Sequence, residues 1–350
     1  MSDQTAPVLV TGAAGYVASW IVRLLLESGR SVRGTVRDPD NEAAVGHLRR
    51  LPGAGERLKL FRADLLAPGS FDTAAQGCEL VLHTASPFFV RGFKDAESEL
   101  VRPAVEGTRN VLESVNRAAS VKRVVLTSSI VAIFGDNCDA LQAPGGVLTE
   151  AQWNTTSSLD HQPYAFSKVC AEREAWRLCE AQKRWTMVAI NPGFVLGPSL
   201  TTRSRSESLY TMRTFGNGKL RTGVPHLSFA CVDVRDVAQA HLLAAAKADA
   251  EGRYIVCNET VTMLQMADLL RERYGRYPLP KRELPKFMVR LLGPYTSGIT
   301  REFVDKNVGY DIRLDNSRSR NQLGLSYRPL RQTLNEHFQQ LIDDGVLPRR

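Results

Sequence analysis

The chain has 350 residues, 43% hydrophobic and 23% charged, which is enough to bury one large core or a core plus a smaller lobe. That composition excludes disordered, fibrous and collagenous classes, and no apolar run approaches the length that crosses a bilayer. The net charge of +8 suits a phosphate-rich ligand; the basic residues are interleaved with acids, and the densest cluster, 313–331, lacks the aromatic interleaving of a base-stacking surface, which argues against nucleic acid.

Residues 1–7 are polar and lack the basic, apolar and small-residue succession of a secretion signal, so a cytoplasmic location is expected. The six cysteines form no C-x-x-C pair and none sits at zinc-like spacing from a histidine, so no metal site and no disulfide framework is expected.

In chain order, strand patterns alternate with helix patterns. Residues 8–11 read as a buried strand, and 16–27 as a helix with Val17, Trp20, Ile21, Leu24 and Leu25 at helical spacing, ending before Gly29. Further strands fall at 31–36, 58–62, 80–82, 123–127 and 186–190, with long helices at 97–116 and 164–183. Strands separated by helices of this length pair in parallel through right-handed crossovers. An α/β fold, a doubly wound parallel sheet, is therefore expected. The pattern loosens after Asn191. A strand at 229–232, a helix at 234–246, a strand at 254–257 and a helix at 263–273 follow, then three prolines within 277–285. The expected division is a nucleotide-binding Rossmann domain over 1–191 and 229–260, and a mostly helical substrate lobe over 192–228 and 261–350.

The segment Thr11-Gly12-Ala13-Ala14-Gly15-Tyr16-Val17-Ala18 joins the first strand to the first helix. Gly12 permits a tight turn and Gly15 lets the backbone approach a pyrophosphate, while the helix N-terminus offers N–H groups to the phosphates. Ala14, Tyr16 and Val17 are expected to line that turn. The second strand ends at Arg37, where NAD-binding folds commonly carry an acid. A guanidinium there grips a 2′-phosphate and favours NADP(H); Asp38 follows it. Asp64 and Leu65 end the third strand, with the acid placed for the adenine amino group and the leucine for its ring. Asp64 also has the chemistry to cap the helix that follows. His83-Thr84-Ala85-Ser86-Pro87 ends the fourth strand, and its small residues leave room for a cofactor across the strand tips. His83 reads as a packed strand residue.

Tyr164 and Lys168 are four apart on a helix and share one face. A nearby ammonium is expected to stabilise the phenolate and lower a pKa that lies near 10 in water. Thr127-Ser128-Ser129 closes the fifth strand at the same sheet edge, where Ser129 can donate to a substrate oxygen as charge builds on it. Ser129, Tyr164 and Lys168 behind a nucleotide-binding half form a constellation for hydride transfer with proton delivery. Phe88, Phe89, Ile130, Tyr210 and Phe215 are candidates both for an apolar substrate wall and for ordinary core.

The chain resembles the extended short-chain dehydrogenase/reductases, in particular the group with dihydroflavonol 4-reductase, cinnamoyl-CoA reductase and the yeast-type aldehyde and methylglyoxal reductases. TGAAGYVA (11–18), VRGTVRDPDN (32–41), ADLL (63–66), HTASP (83–87), EGTRNVLES (106–114), VLTSS (125–129), YAFSK (164–168), INPGFVLGP (190–198) and VDVRDVAQAH (232–241) carry the resemblance. It implies a Ser129–Tyr164–Lys168 triad with NADPH as hydride donor and Arg37 at the 2′-phosphate, although Ala44 replaces the family's helper lysine. Pro192 to Val195 match the segment along the nicotinamide, Thr127 joins the strand-tip contacts, and Ser208 falls near a phosphate-contacting position. The implied activity is reduction of a small aldehyde or ketone by a monomer or homodimer. Three rivals share the fold: a nucleotide-sugar epimerase or dehydratase with tightly bound NAD, a 3β-hydroxysteroid dehydrogenase-like oxidation, and an NADP-sensing protein without turnover.

Overall fold

The computed structural model describes residues 6–86, 94–202, 206–296 and 298–350. Its elements in chain order are β1 (Val8–Thr11), α1 (Tyr16–Glu27), β2 (Val32–Val36), α2 (Glu42–Arg49), α3 (Ala54–Arg57), β3 (Leu58–Arg62), α4 (Asp72–Ala75), β4 (Leu80–His83), α5 (Arg102–Arg117), β5 (Arg123–Thr127), α6 (Pro163–Glu180), β6 (Thr186–Pro192), β7 (Phe194–Leu196), α7 (Glu207–Gly216), β8 (Val224–Pro225), β9 (Ser228–Asp233), α8 (Val234–Ala246), β10 (Gly252–Val256), β11 (Glu259–Thr262), α9 (Met263–Tyr274), β12 (Glu283–Leu284), α10 (Lys286–Thr296), α11 (Arg301–Asn307) and α12 (Leu330–Asp343).

Seven strands form one parallel sheet in the order β10-β6-β5-β4-β1-β2-β3. The chain starts in the middle at β1, winds outward through β2 and β3, then crosses back to β4. The gap between the ends of β1 and β4 is therefore the switch point, where doubly wound sheets bind ligands. The inner strands are runs of Val, Leu and Ile because both faces are covered. One face carries α1 and α8 over Val8, Val10, Ile21, Leu25, Val188 and Val237; the other packs Leu9, Val81, Val124, Leu112 and Ala175. Both sets are buried.

The second lobe has its own core. β9 pairs antiparallel with β11 and parallel with β7, so this strand lies outside the seven-stranded sheet. Met212, Phe215, Met266, Leu270, Leu334 and Phe338 are buried together beneath it. Phe215 is thus a core residue of this lobe and no part of a substrate wall.

One helix departs from its expected course. Residues 97–116 read as a continuous α-helix, but Glu97–Val101 form a π-helical turn before α5 begins at Arg102. Pro103 is the cause: it has no N–H to return to the preceding turn, and its ring crowds the carbonyl four residues back, so the turn widens. All six cysteines are free thiols. Among the described residues no helix is long and apolar enough to cross a membrane, and no group of three metal-ligating side chains is gathered in one place.

Candidate active site

The nucleotide end is built at the switch point. Gly12 has φ +64°, and a Cβ there would sit 3.0 Å from the Ala85 backbone of the neighbouring strand tip. Only glycine relieves both the backbone sign and that approach. The Thr11 hydroxyl receives the N–H groups of Thr84 at 3.1 Å and Ala85 at 3.0 Å, which locks the ends of β1 and β4 together. Gly15 precedes α1 in extended conformation, and no side chain caps the helix. The first-turn N–H groups, Tyr16 and Val17 among them, and the positive end of the helix dipole are therefore turned to whatever occupies the switch point. The Tyr16 hydroxyl itself donates to Gly197 O at 2.5 Å, and Ser208 hydrogen-bonds the same phenol. Ser208 is thereby brought to the glycine turn although it lies almost 200 residues away in sequence.

Arg37 is exposed at the end of β2, and its guanidinium has no hydrogen-bond or ion-pair partner among the described residues. An uncapped helix start, a glycine turn with no room for a side chain and an unengaged guanidinium one strand away fit a dinucleotide pyrophosphate and a 2′-phosphate. Asp64 accepts from Leu66 N at 2.9 Å, and Ser70 bonds both peptide groups of Asp64. It caps no helix, since α4 starts only at Asp72. The Leu65 side chain packs with Ala63, Phe71 and Val111.

At the other end, Lys168 Nζ donates to Ser86 Oγ at 2.8 Å and stands 5.6 Å from the centroid of the Tyr164 ring. The helix spacing thus brings amine and phenol together beside the tip of β4. Burial lowers the Lys168 amine to about 8. Tyr164 keeps part of its surface open, yet desolvation pushes its phenol above the ordinary 10. The expected lowering by the ammonium is not what this site shows, because burial outweighs a charge held on the ring face and shared with Ser86. Ser129 opens a short 3-10 turn, Ile130–Ala132, against which α6 packs. Among the described residues its hydroxyl accepts only a long bond from Val131 N at 3.4 Å, which leaves its proton available for donation.

Other residues read as site or wall candidates take various places in the fold. The Thr127 hydroxyl meets His241 Nε2 at 2.6 Å; because His241 Nδ1 donates to Val237 O, Nε2 accepts. Burial holds His241 down at about 4 and so neutral. His83 bonds Thr11 at 2.8 Å, and burial, with the Lys168 charge, lowers it to about 3; it is a packed strand residue. Pro192 ends β6 and Val195 lies in β7, beyond the tip of the sheet. Ile130 is buried with Ile133 and Phe134, and Tyr210 is exposed on α7. Phe88 and Phe89, with Pro87, lie outside the described residues.

Sequence reasoning missed the support behind these groups. Glu172, one turn beyond Lys168, is buried and accepts from Arg253 Nε at 2.7 Å, Asn191 Nδ2 at 2.9 Å, Trp176 Nε1 at 3.2 Å and the Ser128 hydroxyl. Asn191 also donates to Ser129 O at 3.1 Å. The signal was present: an acid continuing the four-residue spacing of Tyr164 and Lys168.

Residues 8–258 match the model of the NAD dependent epimerase/dehydratase family. The chain is 41% identical over 278 residues to cinnamoyl-CoA reductase CAD2 of Medicago truncatula, covering 79% of this chain and 83% of that protein. It is 39% identical over 285 residues to tetraketide alpha-pyrone reductase 1 of Arabidopsis thaliana, covering 81% and 85%. The structure of yeast methylglyoxal/isovaleraldehyde reductase Gre2 complexed with NADPH superposes with a TM-score of 0.81 at 28% identity, covering 97% of this chain and 99% of that one. The chain belongs to the NAD dependent epimerase/dehydratase family, the extended short-chain dehydrogenase/reductases. Within it, the chain is a reductase related to the plant cinnamoyl-CoA, anthocyanidin and pyrone reductases and to the fungal Gre2-type enzymes.

Proposed function

We propose that Tyr164 delivers the proton, and Ser129 and Lys168 support it, in the NADPH-dependent reduction of a small aldehyde or ketone to its alcohol. The observation that carries this reading is the Lys168 amine, 5.6 Å from the Tyr164 ring centroid and bonded to Ser86 at the strand tip beside the glycine turn. The chain is an NADP(H)-dependent oxidoreductase of carbonyl and alcohol groups, in keeping with its reductase relatives.

NADPH, when bound, supplies the hydride. Gly12, Ala14, Gly15, Tyr16 and Val17 would hold its pyrophosphate with Ser208 nearby, Arg37 its 2′-phosphate, and Asp64 and Leu65 its adenine side. Thr84, Ala85, Ser86, Thr127, Pro192 and Val195 would border the path to the nicotinamide, with Tyr164 and Lys168 at its end. A phenol raised by burial stays protonated near neutrality, the state that reduction needs from Tyr164. The Ser129 hydroxyl holds the substrate oxygen while charge builds on it. Lys168, with a pKa of about 8, is mostly protonated at neutral pH and stabilises the phenolate left after proton transfer. In reverse, the same groups serve alcohol oxidation. The reading includes a cytoplasmic enzyme, monomeric or homodimeric.

A panel of aldehydes and ketones, run with NADPH and NADH, tests it alongside Tyr164→Phe. The variant is expected to bind NADPH as wild type does and to lose about 10²–10⁴-fold in carbonyl reduction. Undiminished turnover in the variant would remove Tyr164 from the chemistry. Oxidised NAD copurifying with the chain would favour an epimerase instead.

A further inference from the structure

Two residues before Tyr164 the backbone takes an unfavourable turn. Gln162 has φ 53° and ψ 54°, the only positive φ outside glycine among the described residues. It also precedes Pro163, whose ring pushes the preceding residue toward extended conformations. A side chain larger than asparagine in the left-handed basin before proline persists only where its surroundings enforce it. Those surroundings are explicit. Gln162 Nε2 donates to Gly135 O at 2.6 Å and to Asp136 Oδ1 at 2.6 Å, while Gln162 O accepts the N–H of Phe166 at 3.1 Å to open α6.

Asp136 is fully buried and binds two other segments to its own. Its Oδ2 accepts from His161 Nε2 at 2.7 Å, and its Oδ1 accepts from Asn307 Nδ2 at 2.6 Å as well as from Gln162. Asn307 ends α11 in the second lobe. Asp136 itself follows Ser129 by seven residues, on the segment leaving β5. One carboxylate therefore ties the segment that carries Ser129 to the first turn of the helix that carries Tyr164, with the second lobe clamped to both.

We propose that Gln162 is a positioning residue for the reduction: its enforced left-handed turn, anchored on Asp136, sets the direction in which α6 starts and so the distance from the Tyr164 phenol to the Ser129 hydroxyl. This rests on the reading of Tyr164 as the proton donor. Pro163 fixes the first helical φ, so nearly all freedom at the helix start lies in Gln162. The substitution that separates positioning from stability is Gln162→Gly. Glycine takes the left-handed turn at no steric cost, so backbone strain is released while the amide anchor is lost.

The test compares wild type, Gln162→Gly, Asp136→Asn and Tyr164→Phe by steady-state kinetics, NADPH titration and thermal melting. For Gln162→Gly the expected result is a fall in kcat of about tenfold to a hundredfold, the scale of a small misplacement of reacting groups. Its NADPH dissociation constant should not worsen, and any fall in Tm should be small, because the released strain offsets the lost bonds to Gly135 O and Asp136. Asp136→Asn, which keeps the shape but replaces one carboxylate oxygen with an amide donor and removes the charge behind the Gln162 and Asn307 bonds, should lower kcat in the same direction. An inactive Tyr164→Phe beside a Gln162→Gly of wild-type kcat would overturn this inference alone. So would a Gln162→Gly whose loss of activity merely follows a loss of Tm, since that marks a structural role. A fully active Tyr164→Phe would take down the proton-donor reading and this inference with it.

Discussion

Arg62 Nη2 donates to the Asp38 carboxylate at 2.7 Å, and through that bond the acid next to Arg37 is paired away from Arg37 itself. The same group reaches Asp40 at 3.1 Å, and Arg62 Nη1 reaches the Arg37 carbonyl at 3.4 Å. An unpaired Asp38 would repel a phosphate at the end of β2. Paired with Arg62, it leaves the Arg37 guanidinium as the unengaged charge at this corner.

Arg37→Ala should therefore raise KM for NADPH by about tenfold to a hundredfold, the value of hydrogen bonds to a charged partner, and leave KM for NADH nearly unchanged. Steady-state kinetics with both coenzymes and one carbonyl substrate gives the answer. Equal losses with the two coenzymes would mean that Arg37 does not read the 2′-phosphate.

Arg253→Ala should destabilise the chain strongly. Arg253 lies on β10 with its side chain buried, pairs with the buried Glu172, and donates to Gln152 O at 2.6 Å and Glu150 O at 3.1 Å. It also stacks on Trp153, 4.0 Å from the ring centroid. Removing one partner of such a pair leaves a carboxylate with no countercharge, at a cost of about 3–5 kcal/mol. Urea unfolding followed by tryptophan fluorescence measures it; a change below about 1 kcal/mol, the range of exposed pairs, would show that water reaches Glu172 in the variant.

Much of this was legible in the residues themselves. Strands such as Val8–Thr11 and Arg123–Thr127 are short apolar runs because the sheet is covered on both sides, and Gly12 announced its turn because no other residue fits beneath Ala85. Tyr164 and Lys168 were readable because a helix enforces a four-residue face. What stayed hidden depends on partners far away in sequence. The Asp136–Asn307 bond spans 171 residues, and nothing in Asp160-His161-Gln162-Pro163 signals a left-handed turn that only those distant contacts hold in place. Phe215 looked equally suited to wall or core, since an apolar ring satisfies either; the packing of Phe338 and Met212 around it decides the matter. The phenol of Tyr164 went against expectation because desolvation is set by atoms from many segments, whereas sequence spacing displays only the neighbouring charge.

His226 makes the stability of the second lobe depend on pH. Its Nδ1 meets Glu283 Oε1 at 3.0 Å and its Nε2 meets Asp311 Oδ1 at 3.0 Å, so both ring nitrogens face carboxylates and only the imidazolium satisfies both. Burial alone would lower this group, but the hydrogen bonds and charges of Glu283 and Asp311 together outweigh it and hold the imidazole above 6.5. A folded-state value above the unfolded one means that the bound proton stabilises the fold fully below 6.5, and that this contribution disappears as pH rises through the folded-state value. His226→Gln removes the charge and keeps a donor. The Tm gap between wild type and His226→Gln should be widest near pH 6 and close toward pH 9, and added salt should narrow it because the cluster is partly exposed. Melting curves across that range decide the question: a gap independent of pH would show that the imidazolium contributes no charge-dependent stability and that Glu283 and Asp311 are held by other means.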